Sequence, residues 1–344
     1  MKALVLEEYK KFQYKAYPTP VPGRNEVLVR VKACAVCGSD VHGMDGSTGR
    51  RKPPIIMGHE ASGIVEKCGE DVRNYRAGDR VTFDSTIFCG KCEMCLAGNV
   101  NLCKNRRVLG VSCNDYRLDG AFAEYVVVPE HVLYLLPENV SFVQAAMIEP
   151  LSIAYHAATR TEIKKNAAVM IVGIGTIGLL ILQVVKTMGV REIIAVDIDD
   201  SRLEIAKQFG ATFCVNSQNE DAAEKILAQT KDQNGVDYSF DATGISKTVN
   251  FCLQLTALNG AVILVGNLAR SIDFPLQWVV TRQQSLFGSC ASSGEYEQCL
   301  KLIAEGKINV DFMISKTVPL SEGNEWINRL YNREKGLYKI VLIP

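Results

Sequence analysis

Net charge is the first thing this sequence lacks. Lysine plus arginine and aspartate plus glutamate number 38 each, so the formal charge at pH 7 is zero. That balance argues against nucleic acid or an anionic membrane as the main partner. Histidine is scarce: only His42, His59, His131 and His156 are present. An apolar leader is missing too. Met1-Lys2-Ala3-Leu4-Val5-Leu6-Glu7-Glu8 reaches acid before any run of signal-peptide length, so no targeting segment is expected. Repeats and low-complexity segments are absent. One uncharged run, Ala167 to Val185, is long enough to cross a bilayer. Gly173, Gly175 and Gly178 within it are spaced as a turn, so a strand, a tight turn and a buried helix are expected there instead.

What is present is ordinary in bulk and unusual in detail. The chain has 344 residues, of which 47% are hydrophobic and 22% charged, which suits about two globular domains. Its 12 cysteines, with no secretory leader, point to metal binding in a reducing cytoplasm rather than to disulfides.

Two of the four histidines fall in one region. Cys37-Gly38-Ser39-Asp40-Val41-His42, with Gly58-His59-Glu60, offers a thiolate, two imidazoles, a carboxylate and a hydroxyl. That set suits a first-row metal with a proton carrier beside it. The plainer alternative is a core thiol and unrelated surface histidines. Ser39 and Asp40 after Gly38 read as a helix start, which places Cys37 at a loop-to-helix junction where backbone N–H groups favour a thiolate. Between the two halves lies a loop with Arg50, Arg51 and Lys52. It reads most simply as a solvated basic loop, and alternatively as a grip for a phosphate.

Cys89, Cys92, Cys95 and Cys103 follow at spacings of three, three and eight. Four thiolates on one loop suit a closed tetrahedral zinc site that holds structure and does no chemistry. An iron–sulfur cluster is the competing reading, but no proline follows the last cysteine and its spacing is wrong. Glu149 is an acid within the apolar run Ala145 to Ser152, and a buried carboxylate needs a partner such as a metal or its bound water.

The first 35 residues or so and the stretches around residues 60–83 and 120–128 read as β structure, consistent with a small β-barrel-like domain. From Ala167 the pattern changes to strands alternating with helices. Val169-Met170-Ile171-Val172 leads into Gly173-Ile174-Gly175-Thr176-Ile177-Gly178 and then a helix from Leu179 to Met188. The next strand ends at Asp197, 19 residues past Gly178. A strand, GxGxxG, a helix and an acid at that distance form a dinucleotide fingerprint. The alternative is a tight packing turn. The glycines let a pyrophosphate approach the helix N-terminus, and Asp197 would accept hydrogen bonds from the adenosine ribose. That acid predicts NAD over NADP, with Arg202 nearby softening the preference. Thr243 and Val265, at the ends of two later strands, are assigned to the same cofactor. Six strands are expected, the last from Ser285 to Ser289, in a doubly wound parallel α/β sheet. The helix after Thr243 is expected to run from Ser246 to Leu258, and the tail to hold a helix from Tyr296 to Glu305 and a terminal strand from Tyr338 to Ile343.

Gly58-His59-Glu60-x-x-Gly63, continuing to Gly69 and Val72, resembles the signature of zinc-dependent medium-chain alcohol dehydrogenases, and the resemblance spans the chain. Glu149-Pro150-Leu151-Ser152 is similar to the polyol dehydrogenase branch, which includes sorbitol and galactitol-1-phosphate dehydrogenases. The resemblance implies a Rossmann domain, 154–290, inserted into a mostly-β GroES-like catalytic domain formed by 1–153 and 291–344, with a zinc lobe at about 86–106. It implies two zincs per chain and NAD. Cys37 and His59 would be catalytic zinc ligands. Glu60 and Glu149 would supply the carboxylate, one directly and the other through water, and the sequence leaves open which. Ser39 would contact the substrate hydroxyl, and His42 would pass its proton to solvent through the coenzyme ribose. Lys339 matches a position near the coenzyme. One departure concerns Leu286-Phe287, after which sorbitol dehydrogenases carry an arginine where Gly288 stands. That argues against sorbitol itself.

The expected activity is therefore oxidation of a secondary alcohol in a polyol or polyol phosphate to a ketose, by a cytoplasmic homo-oligomer, dimer or tetramer. A threonine dehydrogenase-like or inositol dehydrogenase-like activity is the alternative within the class. Outside it stands a non-catalytic dinucleotide sensor, which would have lost Cys37, His59, Ser39 or His42. A zinc–thiolate module without redox chemistry leaves the nucleotide fingerprint unexplained.

Overall fold

A computed structural model describes all residues, 1–344. The chain divides into two compact units, Met1–Glu149 with Ser293–Pro344, and Pro150–Ser292.

The first unit is mostly β. Its largest sheet has seven strands. At the centre runs Glu26–Ala35, antiparallel to Glu60–Cys68, Tyr125–Pro129 and Lys339–Ile343. Val27, Val29 and Val31 share one face of this strand, with Arg30 and Lys32 on the other. These three valines pack into one core with Phe83, Phe122 and Leu342. Each such side chain contributes about 1.5–3 kcal/mol on leaving water. Register then sets the neighbourhood of the functional residues. Ala35 pairs with Glu60 on one side and with Val341 on the other. Just beyond Ala35 the chain turns through Cys37 into the short helix Gly38–Gly43.

The tail returns to this unit. The helix Tyr296–Ala304 and the strand Lys339–Ile343 lie within a residue of their expected bounds. Two further elements escaped the sequence reading. The strand Ile314–Pro319 pairs parallel with the terminal strand, and the helix Gly323–Tyr331 buries Trp326 and Ile327.

The second unit is a six-stranded, all-parallel sheet. Its strands are Ala168–Val172, Glu192–Asp197, Phe213–Asn216, Val236–Asp241, Thr256–Leu264 and Ser285–Gly288. Their spatial order, numbered within the unit, is 3-2-1-4-5-6. The order reverses beside the first strand, and ligands of such sheets sit at that switch point. The uncharged run forms a buried strand and a helix of 12 residues, and no helix of the chain is long and apolar enough to cross a membrane. Two helix boundaries differ from expectation. The helix of the glycine turn begins at Thr176 rather than Leu179. The helix after Thr243 ends at Leu255 rather than Leu258. Thr256 is already extended, and its hydroxyl donates back to the Cys252 carbonyl at 2.7 Å.

Candidate metal centres and nucleotide site

Cys37 caps the helix Gly38–Gly43. Its Sγ accepts from the Ser39 N–H at 3.4 Å, and its own N–H donates to Asp40 Oδ2 at 3.3 Å. The junction expected from Gly38-Ser39-Asp40 is thus a capping box with sulfur as the acceptor. Ser39 and His42 lie three apart and exposed on this helix, so they share a face.

Cys37, His59 and Glu60 bring their ligand atoms within 4.8 Å of one another. His59 is buried. Its Nδ1 lies 3.4 Å from Asp40 Oδ1, and its Nε2 lies 3.4 Å from Ser39 Oγ. A carboxylate behind one ring nitrogen is the arrangement that aims the other at a metal. Burial disfavours charge on His59, yet Asp40 and Cys37 pull its pKa well above the ordinary value. The surroundings therefore favour a cation among these groups. A soft sulfur, an imidazole and a carboxylate fit zinc.

Of the two candidate carboxylates, Glu60 joins this cluster and Glu149 does not. Glu60 is held from behind by Lys339, whose Nζ lies 2.6 Å from Oε1, also contacts Oε2, and donates to the Val36 carbonyl at 3.2 Å. Burial alone would lower the Lys339 pKa, but Glu60 overrides it and holds the ammonium above its ordinary value. Lys339 was expected beside the coenzyme. The structure gives its ammonium a carboxylate partner within the first unit. Glu149 opens the helix Ile148–Ala158, with Oε2 shut off from solvent. Burial pushes its pKa up to about 8, against the pull of His59 and with the repulsion of Glu60.

Two residues of this region were underread in the sequence. Asp40, by sequence a helix-start residue, is fully buried and touches His59. Arg51, by sequence one of three cations on a solvated loop, is only 4% exposed and lies 3.3 Å from Asp40 Oδ1. The loop is not one basic patch: Arg50 and Lys52 face out, with Lys52 bonded to Asn114, and Arg51 faces in. No local pattern signals the burial of Asp40, because its apolar neighbour Val41 does not share its helix face.

The four-cysteine cluster also forms. The sulfurs of Cys89, Cys92, Cys95 and Cys103 lie within 4.8 Å of one another, with Cys92 3.5 Å from Cys95 and 3.9 Å from Cys103. A tetrahedron with metal–sulfur bonds of about 2.3 Å has edges of about 3.8 Å. The N–H groups of Cys89 and Asn105 both donate to Cys103 Sγ at 3.3 Å. Backbone donation from Lys91 and the Asn105 amide hold the Cys89 pKa down to about 6. Cys89 is thus prepared as a thiolate, whereas burial pushes the Cys95 thiol up to about 11, so a metal ion would have to displace that proton.

In the second unit, Gly175 caps the helix Thr176–Thr187 without a side-chain acceptor. A Cβ on Gly175 would meet nothing within 4 Å, so the backbone there is open to a ligand. Gly173 has φ of +94°, and a Cβ on Gly178 would stand 2.0 Å from the Gly173 carbonyl oxygen. Asp197 locks the turn. Its Oδ2 accepts from the Ile174 N–H at 2.6 Å, and its Oδ1 accepts from Ile198 and Asp199 at 2.8 and 3.0 Å. Arg202 stands 3.8 Å from Asp197. Thr243 reaches Gly173, and both Thr243 and Val265 hydrogen-bond to Asp241 at the same strand ends. The glycine turn, Asp197, Thr243 and Val265 therefore gather at the switch point, and the donors and open backbone fit a dinucleotide.

Comparison with known proteins supplies a second line. Residues 23–138 match the alcohol dehydrogenase GroES-like domain, and residues 176–305 match the zinc-binding dehydrogenase domain. The chain is 30% identical to a sorbitol dehydrogenase of Bacillus subtilis over 100% of its own length and 97% of that protein's. A zinc-binding dehydrogenase from Sinorhizobium meliloti, bound to NADP, superimposes with a TM-score of 0.91 at 32% identity, covering 100% of this chain and 99% of that one. Galactitol-1-phosphate dehydrogenase from Escherichia coli gives a TM-score of 0.92 at 26% identity, covering 100% of both chains.

Proposed function

This chain belongs to the zinc-dependent medium-chain alcohol dehydrogenases, among their polyol dehydrogenases, and on that premise we propose that it oxidises a secondary alcohol of a polyol or polyol phosphate to a ketose with NAD. The observation that carries this reading is the convergence of Cys37, His59 and Glu60 within 4.8 Å, where one central strand ends at Ala35 and its partner begins at Glu60. Cys37 and His59 would hold a zinc, with Glu60 or Glu149 as the carboxylate. Bound there, zinc supplies Lewis acidity that favours the alkoxide.

The chain's own residues handle the proton. The Ser39 hydroxyl sits 3.4 Å from His59 Nε2 on an exposed helix face, positioned to take the substrate's hydroxyl proton. His42, on the same face, passes it towards solvent. The substrate carbon gives up a hydride and becomes a carbonyl, and the nicotinamide receives the hydride. Asp197 supports NAD, because a 2′-phosphate would meet a like charge in a confined site. The similar Sinorhizobium protein is bound to NADP, so the coenzyme is part of the test.

On this reading the protein works in the cytoplasm as a homo-oligomer. Its cysteines gather as metal ligands at Cys37 and at Cys89, Cys92, Cys95 and Cys103, a use that suits a reducing compartment. The experiment is a panel of polyols, their phosphates and 3-hydroxy amino acids, assayed at 340 nm with NAD and with NADP. Turnover confined to polyols with NAD supports the proposal. Turnover of 3-hydroxy amino acids alone would replace it.

A further inference from the structure

Arg51 has no role in the family signature, yet it is among the most buried cations of the chain. Its Nη2 lies 3.3 Å from Asp40 Oδ1 and 3.5 Å from Ser39 Oγ, and its Nη1 donates to the Arg50 carbonyl at 3.2 Å. Its backbone is pinned as well, since Arg51 bridges to Ser112, whose N–H donates to the Arg50 carbonyl at 3.2 Å. The side chain reaches Asp40 by passing Gly43. A Cβ on Gly43 would stand 2.7 Å from Arg51 Cγ, so only glycine leaves the passage open.

Asp40 is completely buried and touches three groups: His59 Nδ1, the Cys37 N–H and the Arg51 guanidinium. A metal-bound imidazole is neutral. With His59 on a metal, full positive charge against Asp40 comes from Arg51. Removing one partner of a buried ion pair leaves an uncompensated charge and is strongly destabilising. The cheapest relief is for Asp40 to swing towards water, and His59 then loses the carboxylate that orients it.

We propose that Arg51, threaded past Gly43, is a positioning residue that anchors Asp40 and thereby fixes His59 with Nε2 towards the metal. The inference rests on the reading of Cys37 and His59 as metal ligands. It also withdraws Arg51 from substrate phosphate binding, because its charge is already matched by Asp40.

The test uses the full chain purified with zinc. Metal per chain is measured for the wild type and for His59→Ala, and zinc release to a chromophoric chelator is timed for the wild type, Arg51→Lys, Arg51→Met and Gly43→Ala. Circular dichroism melting reports folding. In Arg51→Met one zinc should leave about 10–100-fold faster, as is typical when a group supporting a ligand is lost. The other, on the four cysteines, should leave at the wild-type rate. Arg51→Lys should fall between, keeping charge but not the planar fork. Gly43→Ala keeps every charge and should show the same acceleration by displacing Arg51. It decides the matter if Arg51→Met does not fold. Wild-type release rates in Arg51→Met and Gly43→Ala would overturn the Arg51 inference alone. A wild type with one zinc, unchanged in His59→Ala, would overturn the metal reading beneath it as well.

Discussion

Lys339 Nζ lies 2.6 Å from Glu60 Oε1 although the two residues stand 279 positions apart. Both are buried, at 3% and 1% exposure. The pair is made by register: the terminal strand and the strand starting at Glu60 flank Ala35 on opposite sides. Lys339→Met would leave Glu60 buried without its cation. The expected cost is about 3–5 kcal/mol, read as a lower midpoint in chemical denaturation. Lys339→Arg should recover most of it.

The two metal sites should separate by mutation. His59→Ala should abolish turnover with the fold kept, because three of its neighbours, Asp40, Ser39 and Cys37, are anchored by the helix they share. Cys95→Ser should cost solubility or folding, since structural zinc contributes folding free energy. Elemental analysis and melting of the two variants check this. The reverse pattern would exchange the roles.

Coenzyme choice turns on Asp197. Its carboxylate already accepts three backbone N–H groups, so it is fixed where a ribose would lie. Steady-state kinetics should give a higher kcat/KM for NAD than for NADP. Asp197→Ser should narrow the gap by losing efficiency with NAD.

With Arg51 committed to Asp40, recognition of a phosphate, if the substrate carries one, would fall to Arg50 and Lys52. Arg50→Ala should raise KM for a phosphorylated polyol far more than for its unphosphorylated parent, the mark of lost uniform binding. Equal effects on both substrates, or none, would leave this loop a solvated surface and favour a neutral polyol.

One stability prediction lies away from both metals. Asp199 caps the helix Asp200–Phe209, accepting from the Ser201 hydroxyl at 2.6 Å and N–H at 2.9 Å. The Ser201 hydroxyl first, against a smaller burial effect, holds its pKa below the ordinary value. A lowered folded pKa stabilises above the unfolded value, and that share is lost as pH falls through the folded one. Asp199→Ala should thus cost about 1 kcal/mol at pH 7. The difference from wild type should shrink below about pH 4.

Local chemistry was legible in the sequence; long-range register was not. Gly38-Ser39-Asp40 announces a helix start, and the capped Cys37 follows from it. Gly173 to Gly178 with Asp197 announces the turn and the acid that ties it, because strand, turn and strand are near neighbours in sequence. The Glu60–Lys339 pair depends on which strands flank Ala35, and no local pattern encodes that. Arg51 looks like its neighbours Arg50 and Lys52, and its inward course depends on the gap at Gly43. The helix Gly323–Tyr331 opens with glycine and asparagine, poor helix formers, and is held by packing of Trp326 and Ile327.

The central claim is that Cys37 and His59 hold the metal that makes this chain a polyol dehydrogenase. Its most direct test measures NAD reduction at 340 nm with a polyol panel, alongside zinc content, for the wild type and His59→Ala. The account predicts two zincs and turnover in the wild type, and one zinc and no turnover in the variant. Turnover retained in His59→Ala, or none with any polyol in a wild type holding two zincs, would contradict it.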